Sequence, residues 1–294
     1  MKVLSFGEVL WDIIGEDAHL GGAPLNFAAH LVQCGGQSSM LSRLGNDDFG
    51  RDAGIQIGKL GVGTNLLQID QDHPTGTVPV TLVDGQPDYY ITPNAAYDFI
   101  DFGEAKAVLD VSNFEVLYYG TLVQRGQSVD VLKKILDNYE FRLKFCDINM
   151  RKDCYSEEII RFSLGHATVA KLNEDEVIEV GQILFGQRLS QADFVPKLLG
   201  AFPQLEHVIL TAGGDGCYVF KDHTLLHVKS EPIHVVDTIG AGDSFSAAFM
   251  YSFFKSGDVL KSAEIGNRVG GFVASSAGAI PKYSETILEL LKPI

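Results

Sequence analysis

Short apolar runs alternate with helix-like stretches along most of the chain. Runs rich in β-forming residues predict strands at 2–7, 40–44, 115–119, 143–148, 168–172 and 207–211. Amphipathic stretches between them predict helices at 25–34, 48–60 and 128–139. Strands that are apolar on both faces and separated by helices are typical of a buried parallel sheet. The pattern therefore predicts an α/β fold with a doubly wound, mostly parallel sheet flanked by helices.

Two segments depart from this alternation. Residues 9–20 follow the first strand with no helix between, and residues 75–91 carry alternating β-formers around a turn at 84–87. We expect both segments to form antiparallel strands of a small second sheet. That sheet is expected to be a lid formed by about 9–22 and 75–100 within a single domain over 1–294; a peripheral hairpin is the alternative.

Composition and net charge limit the kinds of molecule that the protein is expected to bind. The chain has 294 residues with 46% hydrophobic content, which is enough to bury a large core. Its formal net charge of −15 disfavours nucleic acids and anionic membranes as partners, because both require a basic surface. The net charge does not exclude a nucleotide as a ligand, since a local cluster of backbone N–H groups can bind phosphate despite the negative charge of the whole protein.

The cysteines and the N-terminal segment indicate the cytoplasm. The four cysteines contain no CxxC pair, which favours reduced thiols over a zinc or disulfide site: Cys34, Cys146, Cys154 and Cys217. Acidic residues follow the N-terminus too soon for a signal peptide, and no apolar run reaches membrane-spanning length.

The segment VVDTIGAGDSFSAAFMYSFF at 235–254 is the strongest chemical signal. It predicts a β-branched strand ending at Asp237, a glycine-rich turn, and a helix from about Asp243. Glycines at 240 and 242 allow close approach of a ligand to the backbone. The N–H groups of Gly240, Ala241 and Gly242 would then lie at the positive end of the helix, which indicates an anion site.

Asp243 places a carboxylate beside this anion site. Asp is also a favoured N-cap residue, so a purely local role is the alternative. The helix N-terminus is expected to lower the pKa of Asp243 and make it a weak base. The segment is neither a P-loop nor a GxGxxG motif after the first strand, which argues against a dinucleotide oxidoreductase.

Two long motifs resemble one known family. DTIGAGDSFSAAF at 237–249 resembles the C-terminal signature of the ribokinase-like (phosphofructokinase-B-type) sugar kinases. GGAPLNFAAHLVQCGGQSSMLSRLGNDDFG at 21–50 resembles the N-terminal signature, and the resemblance extends over nearly the whole chain. It implies a ribokinase-like fold and ATP-dependent phosphorylation of a sugar hydroxyl. Asp243 would be the general base, the turn at 240–242 the anion hole, and Asp12, Gly22 and Asn26 the sugar ligands.

Further segments resemble the family's nucleotide side. In KLNEDE at 171–176, the resemblance assigns Asn173 and Glu176 to Mg·ATP, with Glu176 acting through metal-bound water. In TAGGDGCYVF at 211–220, it assigns Thr211, Gly213 and Gly216 to ATP. Without the resemblance, these segments indicate only an acidic first helical turn and a glycine-rich turn.

The C-terminal part completes the expected nucleotide site. SSAGAIP at 275–281 resembles the segment that flanks adenine, with Asn267 on the preceding helix. In relatives, carbonyl groups near this segment and the catalytic loop hold a monovalent cation. The resemblance therefore places a K⁺ site in the neighbourhood of Asp237.

Three segments resemble fructokinases within the family: GEVLWD at 7–12, GGAPLNFAAHL at 21–31 and PTGTVPVTL at 74–82. In DINMR, Arg151 is expected beside the substrate or the phosphates. The expected reaction is D-fructose and ATP to D-fructose 6-phosphate and ADP. Kinases for ribose, 2-keto-3-deoxygluconate or a nucleoside remain alternatives, as does a non-catalytic binding relative, and the small sheet is a candidate homodimer surface.

Overall fold

A computed structural model describes residues 1–83 and 86–292 of the chain. Its strands form a nine-stranded sheet and a separate four-stranded sheet. In chain order the strands are β1 (Lys2–Phe6), β2 (Leu10–Ile14), β3 (Asp17–Gly21), β4 (Gln37–Gly45), β5 (Leu67–Asp70), β6 (Gly76–Val83), β7 (Gln86–Tyr89), β8 (Val116–Gly120), β9 (Leu143–Asp147), β10 (Val169–Asn173), β11 (His207–Thr211), β12 (Cys217–Lys221) and β13 (Thr224–Val228).

The helices lie between and after these strands. They are α1 (Ala23–Gln33), α2 (Asp48–Lys59), α3 (Phe102–Leu109), α4 (Ser128–Asn138), α5 (Glu157–His166), α6 (Glu174–Phe185), α7 (Gln191–Ala201), α8 (Ala241–Ser256), α9 (Val259–Ala274) and α10 (Glu285–Leu290). Short 3₁₀ turns lie at Ala96–Phe99, Leu122–Arg125 and Gly213–Asp215. Within the described part of the chain, no helix has both the length and the apolar character needed to cross a membrane.

The large sheet is parallel over most of its width. Its strand order is β13-β12-β11-β10-β9-β8-β1-β4-β5. All pairs from β11 to β5 are parallel, and only β12 and β13 at one edge run antiparallel. The predicted α/β fold with a doubly wound, mostly parallel sheet is therefore confirmed. The sequence pattern did not predict the antiparallel pair at the edge.

Both faces of the sheet are buried under helices. On β8, Leu117 and Tyr119 pack with residues of α3 to α7, whereas Val116 and Tyr118 pack with α1, α8, α9 and α10. All four side chains are fully buried. Successive strand residues point to opposite faces, so a sheet covered on both sides requires apolar residues at every position. This requirement explains the uninterrupted apolar runs in the sequence.

The small sheet has the order β3-β2-β6-β7, and its existence was predicted. The pairs β2–β3 and β6–β7 are antiparallel, while β2 and β6 join the two hairpins in parallel. Of the turn predicted at 84–87, Asp84 and Gly85 lie outside the described residues. Gln86 and Pro87 belong to β7, which corrects that part of the turn prediction.

The predicted strand ending at Asp237 is wrong. Val235 and Val236 are 55% and 56% exposed, and no strand is assigned between β13 and α8. The N–H groups of Val236 and Asp237 instead donate to the carbonyl oxygen of Ala274, at the end of α9. β-branched residues favour strands only where a neighbouring strand is available to pair with them. Here the backbone hydrogen bonds go to the end of a helix.

Arg125 fastens the segment after the small sheet to the large sheet. It lies in the 3₁₀ turn that follows β8, and its guanidinium donates to both carboxylate oxygens of Asp98 at 3.0 Å. It also donates to the carbonyl oxygen of Thr92 and the hydroxyl of Tyr97, each at 2.8 Å. The side chains of Arg125 and Asp98 are only 14% and 5% exposed. The pair therefore forms a buried, hydrogen-bonded link between the two sheets.

Replacing Arg125 with methionine is expected to destabilise the protein strongly. The variant leaves the Asp98 carboxylate buried without a cation, which costs about 3–5 kcal/mol in comparable buried pairs. Denaturant unfolding of Arg125→Met against wild type measures this free energy.

The control is Lys133→Met, which breaks an exposed pair with Asp130. Exposed pairs contribute less than about 1 kcal/mol, so this variant should unfold close to wild type. Equal stabilities for the two variants would contradict a structural role for the Arg125 link.

Candidate active site

A cavity of about 820 Å³ opens at the carboxyl ends of the parallel strands. Open α/β sheets bind ligands at this edge. Its wall brings together most of the residues predicted from the sequence: Asp12, Gly22, Asn26, Arg151, Asn173, Thr211, Gly213, Gly216, Gly240, Ala241, Gly242, Asp243 and Asn267. Among the described residues that form this wall, Glu176 and Asp237 are not found.

The glycine-rich turn is held tightly against the C-terminal segment. α8 begins at Ala241, two residues earlier than predicted, and Gly240 is its N-cap with φ of 77°. A Cβ built on Gly240 would lie 2.3 Å from the carbonyl oxygen of Ala279. Both the left-handed conformation and this contact require glycine at position 240.

Three N–H groups at this turn are available to an anion. Ala241 donates to the carbonyl oxygen of Thr238 at 3.2 Å. Across residues 1–83 and 86–292, no acceptor is recorded for the N–H groups of Gly240, Gly242 and Asp243. They lie at the positive end of a 16-residue helix, where anionic oxygen is stabilised. The predicted anion site thus has free donors at 240 and 242, with Asp243 in addition.

Asp243 is held by a residue far away in the sequence. It is the third residue of α8, so the alternative interpretation as an N-cap is wrong. Its Oδ2 accepts a hydrogen bond of 2.8 Å from Nδ2 of Asn26, on α1. The amide fixes one carboxylate oxygen, and the side chain lines the cavity.

The pKa of Asp243 moves in the opposite direction to the prediction. Burial raises it to about 6, and the negative charge of Asp147 adds to the shift. The hydrogen bond from Asn26 and the positive charges of Lys171 and Arg151 oppose the rise. Desolvation therefore outweighs the helix terminus, and Asp243 is a stronger base than an ordinary aspartate while still ionised at pH 7.

A buried ion pair lies beneath the turn. Nζ of Lys171 donates to both carboxylate oxygens of Asp147 at 2.9 Å, and the two side chains are 9% and 1% exposed. Asp147 also accepts from the hydroxyls of Tyr118 and Ser246, the latter on α8. A Cβ on Gly242 would lie 3.5 Å from Nζ of Lys171. The pair connects β8, β9 and β10 to the first turns of α8.

Helix α1 supports the glycine-rich turn at two levels. One turn beyond Asn26, the ring of His30 bonds the carbonyl oxygen of Ala279 through Nε2 at 2.9 Å and the hydroxyl of Tyr283 through Nδ1 at 2.8 Å. Burial lowers the pKa of His30 to about 4, so the ring is neutral at pH 7. A neutral ring with its proton on Nε2 donates to Ala279 and accepts from Tyr283. His30 therefore holds the carbonyl against which Gly240 packs.

The end of the cavity nearest the small sheet is rich in carboxyl groups. Glu8, Asp12 and Asp243 line the cavity, and the charge of Arg151, which also lines it, acts on all three. Within the described part of the chain, Arg151 makes no ion pair within 4.0 Å. Burial raises the pKa values of Glu8 and Asp12, and the charge of Arg151 opposes both shifts. Acceptors of this kind bind hydroxyl groups well.

The other end of the cavity contains the residues predicted for the nucleotide. Asn173 ends β10 and caps α6, with its Oδ1 accepting from the N–H of Glu176 at 2.9 Å. The carboxylate of Glu176 accepts from the N–H groups of Asn173 and Met150 at 2.8 and 2.7 Å. Glu176 is thus buried behind Asn173 in a capping box.

A metal ion at this end would depend on few protein ligands. No group of three or more His, Cys, Asp or Glu side chains suited to a metal occurs within 1–83 and 86–292. Mg²⁺ commonly takes one or two carboxylates and completes its shell with phosphates and water. The single carboxylate of Glu176, whose oxygens retain free lone pairs, fits that arrangement through water.

The glycine turn after β11 borders the same region. Gly213 and Gly216 adopt φ values of 51° and 98°, and a Cβ on Gly216 would lie 2.2 Å from the carbonyl oxygen of Val228. Nδ2 of Asn267 donates to that same carbonyl at 2.8 Å. Thr211 lies at the end of β11, where its hydroxyl contacts the carbonyl oxygen of Leu172 at 3.4 Å.

Asp237 connects the catalytic loop to the C-terminal segment. Its carboxylate accepts from the N–H groups of Ile239 at 3.0 Å and Gly278 at 3.3 Å. Asp237 therefore lies against the C-terminal segment and outside the cavity wall, and the K⁺ site in its neighbourhood stays a prediction.

Four contributors to the site were not assigned roles from the sequence: Glu8, His30, Asp147 and Lys171. Lys171 and Asp147 had a detectable signal, because a charged residue inside an otherwise apolar strand needs a buried partner. Glu8 has a weaker signal, as an acid directly after an apolar strand. His30 has none, since its partners lie about 250 residues away.

Comparison with known proteins identifies the family. The sequence profile of the pfkB family carbohydrate kinases matches residues 7–286. The chain belongs to this family. It is therefore an ATP-dependent carbohydrate kinase.

Individual relatives agree with this assignment. Fructokinase-1 of Zea mays is 26% identical over 320 residues, covering 99% of this chain and 97% of its own. An uncharacterized sugar kinase of Pyrococcus horikoshii, solved with ATP, superposes with a TM-score of 0.81 at 24% identity over 95% of this chain and 94% of its own. Fructokinase of Vibrio cholerae with fructose, ADP and calcium gives 0.79 at 22% identity over 95% and 94%. The two structures share the fold of this kinase.

Removing the Asn26 amide is expected to shift the pH dependence of kinase activity. Asn26→Leu deletes a hydrogen bond to the ionised form of Asp243, so the pKa of Asp243 rises and the acid limb of kcat/KM moves to higher pH. A bond to a charged group corresponds to a shift of about one pH unit. The pH profile of kcat/KM measures the pH at which activity falls on the acid side, and this pH does not depend on the maximum value of kcat/KM.

Asn138→Leu makes the same substitution on the exposed end of α4 and should leave the limb near the wild-type position, at about pH 6. An Asn26→Leu profile that falls at the wild-type pH would show that Asp243 is not the titrating base.

Proposed function

We propose that this kinase transfers the γ-phosphoryl group of ATP to D-fructose, forming D-fructose 6-phosphate, with Asp243 as the general base. The observation that carries the proposal is the position of Asp243. Asp243 lines one cavity together with Asp12 and Asn26, the residues predicted for the sugar, and with residues predicted for the nucleotide such as Asn173.

Asp243 has the properties that a base for a sugar hydroxyl requires. At pH 7 it is ionised, yet its raised pKa makes it more basic than an exposed aspartate. Asn26 binds one carboxylate oxygen and leaves the other to accept the hydroxyl proton. The free N–H groups of Gly240 and Gly242 are fixed donors for the charge of the transferring phosphoryl group. Ala241, predicted in the same anion hole, has its N–H bonded to Thr238 and contributes through the shape of the turn.

The acceptor would bind at the carboxyl-rich end. Asp12 and Asn26 offer a carboxylate and an amide to adjacent hydroxyls, and Gly22 lines the cavity at the start of α1. Arg151 has no ion pair among described residues and lies near three carboxyl groups, so it is free to contact a ketose hydroxyl or the γ-phosphate. Relatives named fructokinase support the choice of fructose.

The nucleotide would bind between the ends of β10 and β11 and helix α9. Asn173, Thr211 and the glycine turn would face the phosphates and ribose, with Asn267 nearer the base. Mg²⁺, when bound with ATP, neutralises charge on the phosphates, and Glu176 would hold it through water. Asp237 would lie beside a site for K⁺ formed by neighbouring carbonyl groups.

The small sheet would act as a lid within one kinase domain over 1–294. Strand β2 carries Asp12 on the cavity wall. Movement of the sheet would therefore move a residue that binds the sugar, and closure would exclude water from the cavity. The compartment we propose is the cytoplasm, where the buried free thiols of all four cysteines remain reduced.

Asp243→Ala is expected to lower kcat by about 10²–10⁴-fold, because general-base catalysis is lost while the binding groups remain. A coupled assay for ADP release over D-fructose, D-ribose, 2-keto-3-deoxygluconate and adenosine measures both activity and preference. D-Fructose should give the highest kcat/KM.

Asp52→Ala removes an exposed aspartate from α2 and should match wild type. A higher kcat/KM with another acceptor would show that this acceptor, and not fructose, is the preferred substrate, and the proposed mechanism would stand. No ADP release with any acceptor would favour the non-catalytic relative instead, and full activity of Asp243→Ala would reject the assigned base.

A homodimer through the lid is part of the proposal. Strands β3 and β7 are the two edges of the small sheet, and Ile14 on β2 is 47% exposed. Pairing of two edges would give a particle of twice 32.0 kDa. Light scattering coupled to size exclusion measures this mass, and a value of 32.0 kDa at micromolar concentration would reject the dimer.

A further inference from the structure

Glu8 is a buried carboxyl group at the carboxyl-rich end of the cavity, where the sugar would bind. The mechanism proposed above gives it no role. It lies between β1 and β2, where the chain passes from the large sheet to the small sheet. Glu8 is 3% exposed, and it lines the cavity with Asp12, Asn26 and Asp243. An acidic residue is almost never buried to this extent without a partner.

Two buried acceptor atoms at this end have no hydrogen bond. Within the part of the chain that the structure describes, Oε2 of Glu8 and Oδ1 of Asn26 are buried and lack a partner. Leaving such a group unsatisfied is unfavourable, and native proteins contain few of them. Each atom needs a donor, and a ligand with several hydroxyl groups supplies more than one.

The backbone holds Glu8 in this position. Gly22, the N-cap of α1, has φ of 114°, and a Cβ there would lie 2.5 Å from the carbonyl oxygen of Glu8. The absence of that Cβ lets the Glu8 backbone pack against the start of α1, one turn before Asn26. The two unsatisfied atoms are therefore placed by one local packing arrangement.

The charges at this end favour an uncharged ligand. Burial raises the pKa of Glu8 to about 7; backbone hydrogen bonds from Glu8 and Ala23 and the charge of Arg151 oppose the rise, and the charge of Asp243 adds to it. Near neutral pH the carboxyl group can therefore either accept or donate a hydrogen bond, and a hydroxyl group matches both forms. A ligand carboxylate or phosphate would meet the carboxyl groups of Glu8, Asp12 and Asp243, with the charge of Arg151 acting on all three. Lys152 and Lys171 also line the cavity, and Lys171 is already paired with Asp147.

We propose that Glu8 is a substrate-binding residue that hydrogen-bonds a sugar hydroxyl other than the one deprotonated by Asp243, and thereby selects an uncharged sugar. The inference rests on the proposed function and adds a specificity-determining contact to it. Its counterpart on the ligand is one particular hydroxyl group.

Glu8→Met tests the contact, because methionine has a similar volume and no polar atoms. The KM for D-fructose should rise about 10- to 100-fold, as for loss of a hydrogen bond to a charged group, while the KM for ATP stays unchanged. The melting temperature without sugar should be equal to wild type or higher, since an unsatisfied buried carboxyl group has been removed. Glu8→Gln retains a donor and an acceptor and should restore most of the affinity.

A series of monodeoxy fructoses identifies the partner hydroxyl. For one analogue, wild type and Glu8→Met should have the same KM, because the contact is absent from both. For the other analogues, the full difference between the two proteins should persist. Glu140→Met, at an exposed position, controls for the substitution and should match wild type throughout.

The outcomes separate this inference from the proposed function. If wild type phosphorylates an uncharged sugar and Glu8→Met keeps its KM, or loses stability with no change in KM, the inference is wrong and the kinase function stands. A wild type that prefers 2-keto-3-deoxygluconate overturns the selection of an uncharged sugar. If another uncharged sugar replaces fructose, its deoxy series tests Glu8 in the same way. A wild type that neither binds nor phosphorylates an uncharged sugar overturns both.

Discussion

The buried ion pair between Lys171 and Asp147 is the interaction on which the active site depends. Removing two charges from water is costly, and the cost is offset only because both oxygens of Asp147 accept from Lys171 and further hydroxyls complete the shell. Asp147 ends β9 and Lys171 is the central residue of β10, under the first turns of α8. The pair therefore fixes the distance of the glycine-rich turn from the sheet. It also places the negative charge of Asp147 and the positive charge of Lys171 near Asp243.

A second constraint comes from helix α1, which orders the catalytic turn from the opposite side. Asn26 binds Asp243 across 217 residues of sequence, and His30 holds the carbonyl that contacts Gly240. One rigid helix thus positions both the carboxylate and the glycine turn. This arrangement accounts for two chemically different properties of the site, the orientation of the base and the exposure of the N–H groups of the turn. Both follow from packing of α1 against α8 on the same face of the sheet.

The carboxyl-rich end of the cavity lowers the stability of the folded protein. Among the residues that the structure describes, Oε2 of Glu8 and Oδ1 of Asn26 are buried acceptor atoms without partners, and burial raises the pKa values of Glu8, Asp12 and Asp243. A stable interior would satisfy or remove these groups. Their retention in a well-packed fold is typical of a binding site, where the ligand supplies what the protein leaves unsatisfied.

The amino-acid sequence by itself determined the fold class and predicted many of the residues that line the cavity. Apolar runs such as Val116–Gly120 can be satisfied only in a sheet covered on both faces, and the glycine turn before a helix predicts an anion site wherever it occurs. Tertiary structure decided what local pattern does not contain. The segment of Val235 and Val236 forms no strand within the described residues, because the N–H groups of Val236 and Asp237 donate to the carbonyl oxygen of Ala274 at the end of α9. The pKa of Asp243 rises because burial removes water from its carboxylate and Asp147 adds negative charge, against the opposing effects of Asn26 and Lys171. Desolvation and long-range charge depend on which distant segments meet, and only the folded chain brings Asn26, Asp147 and Lys171 to Asp243.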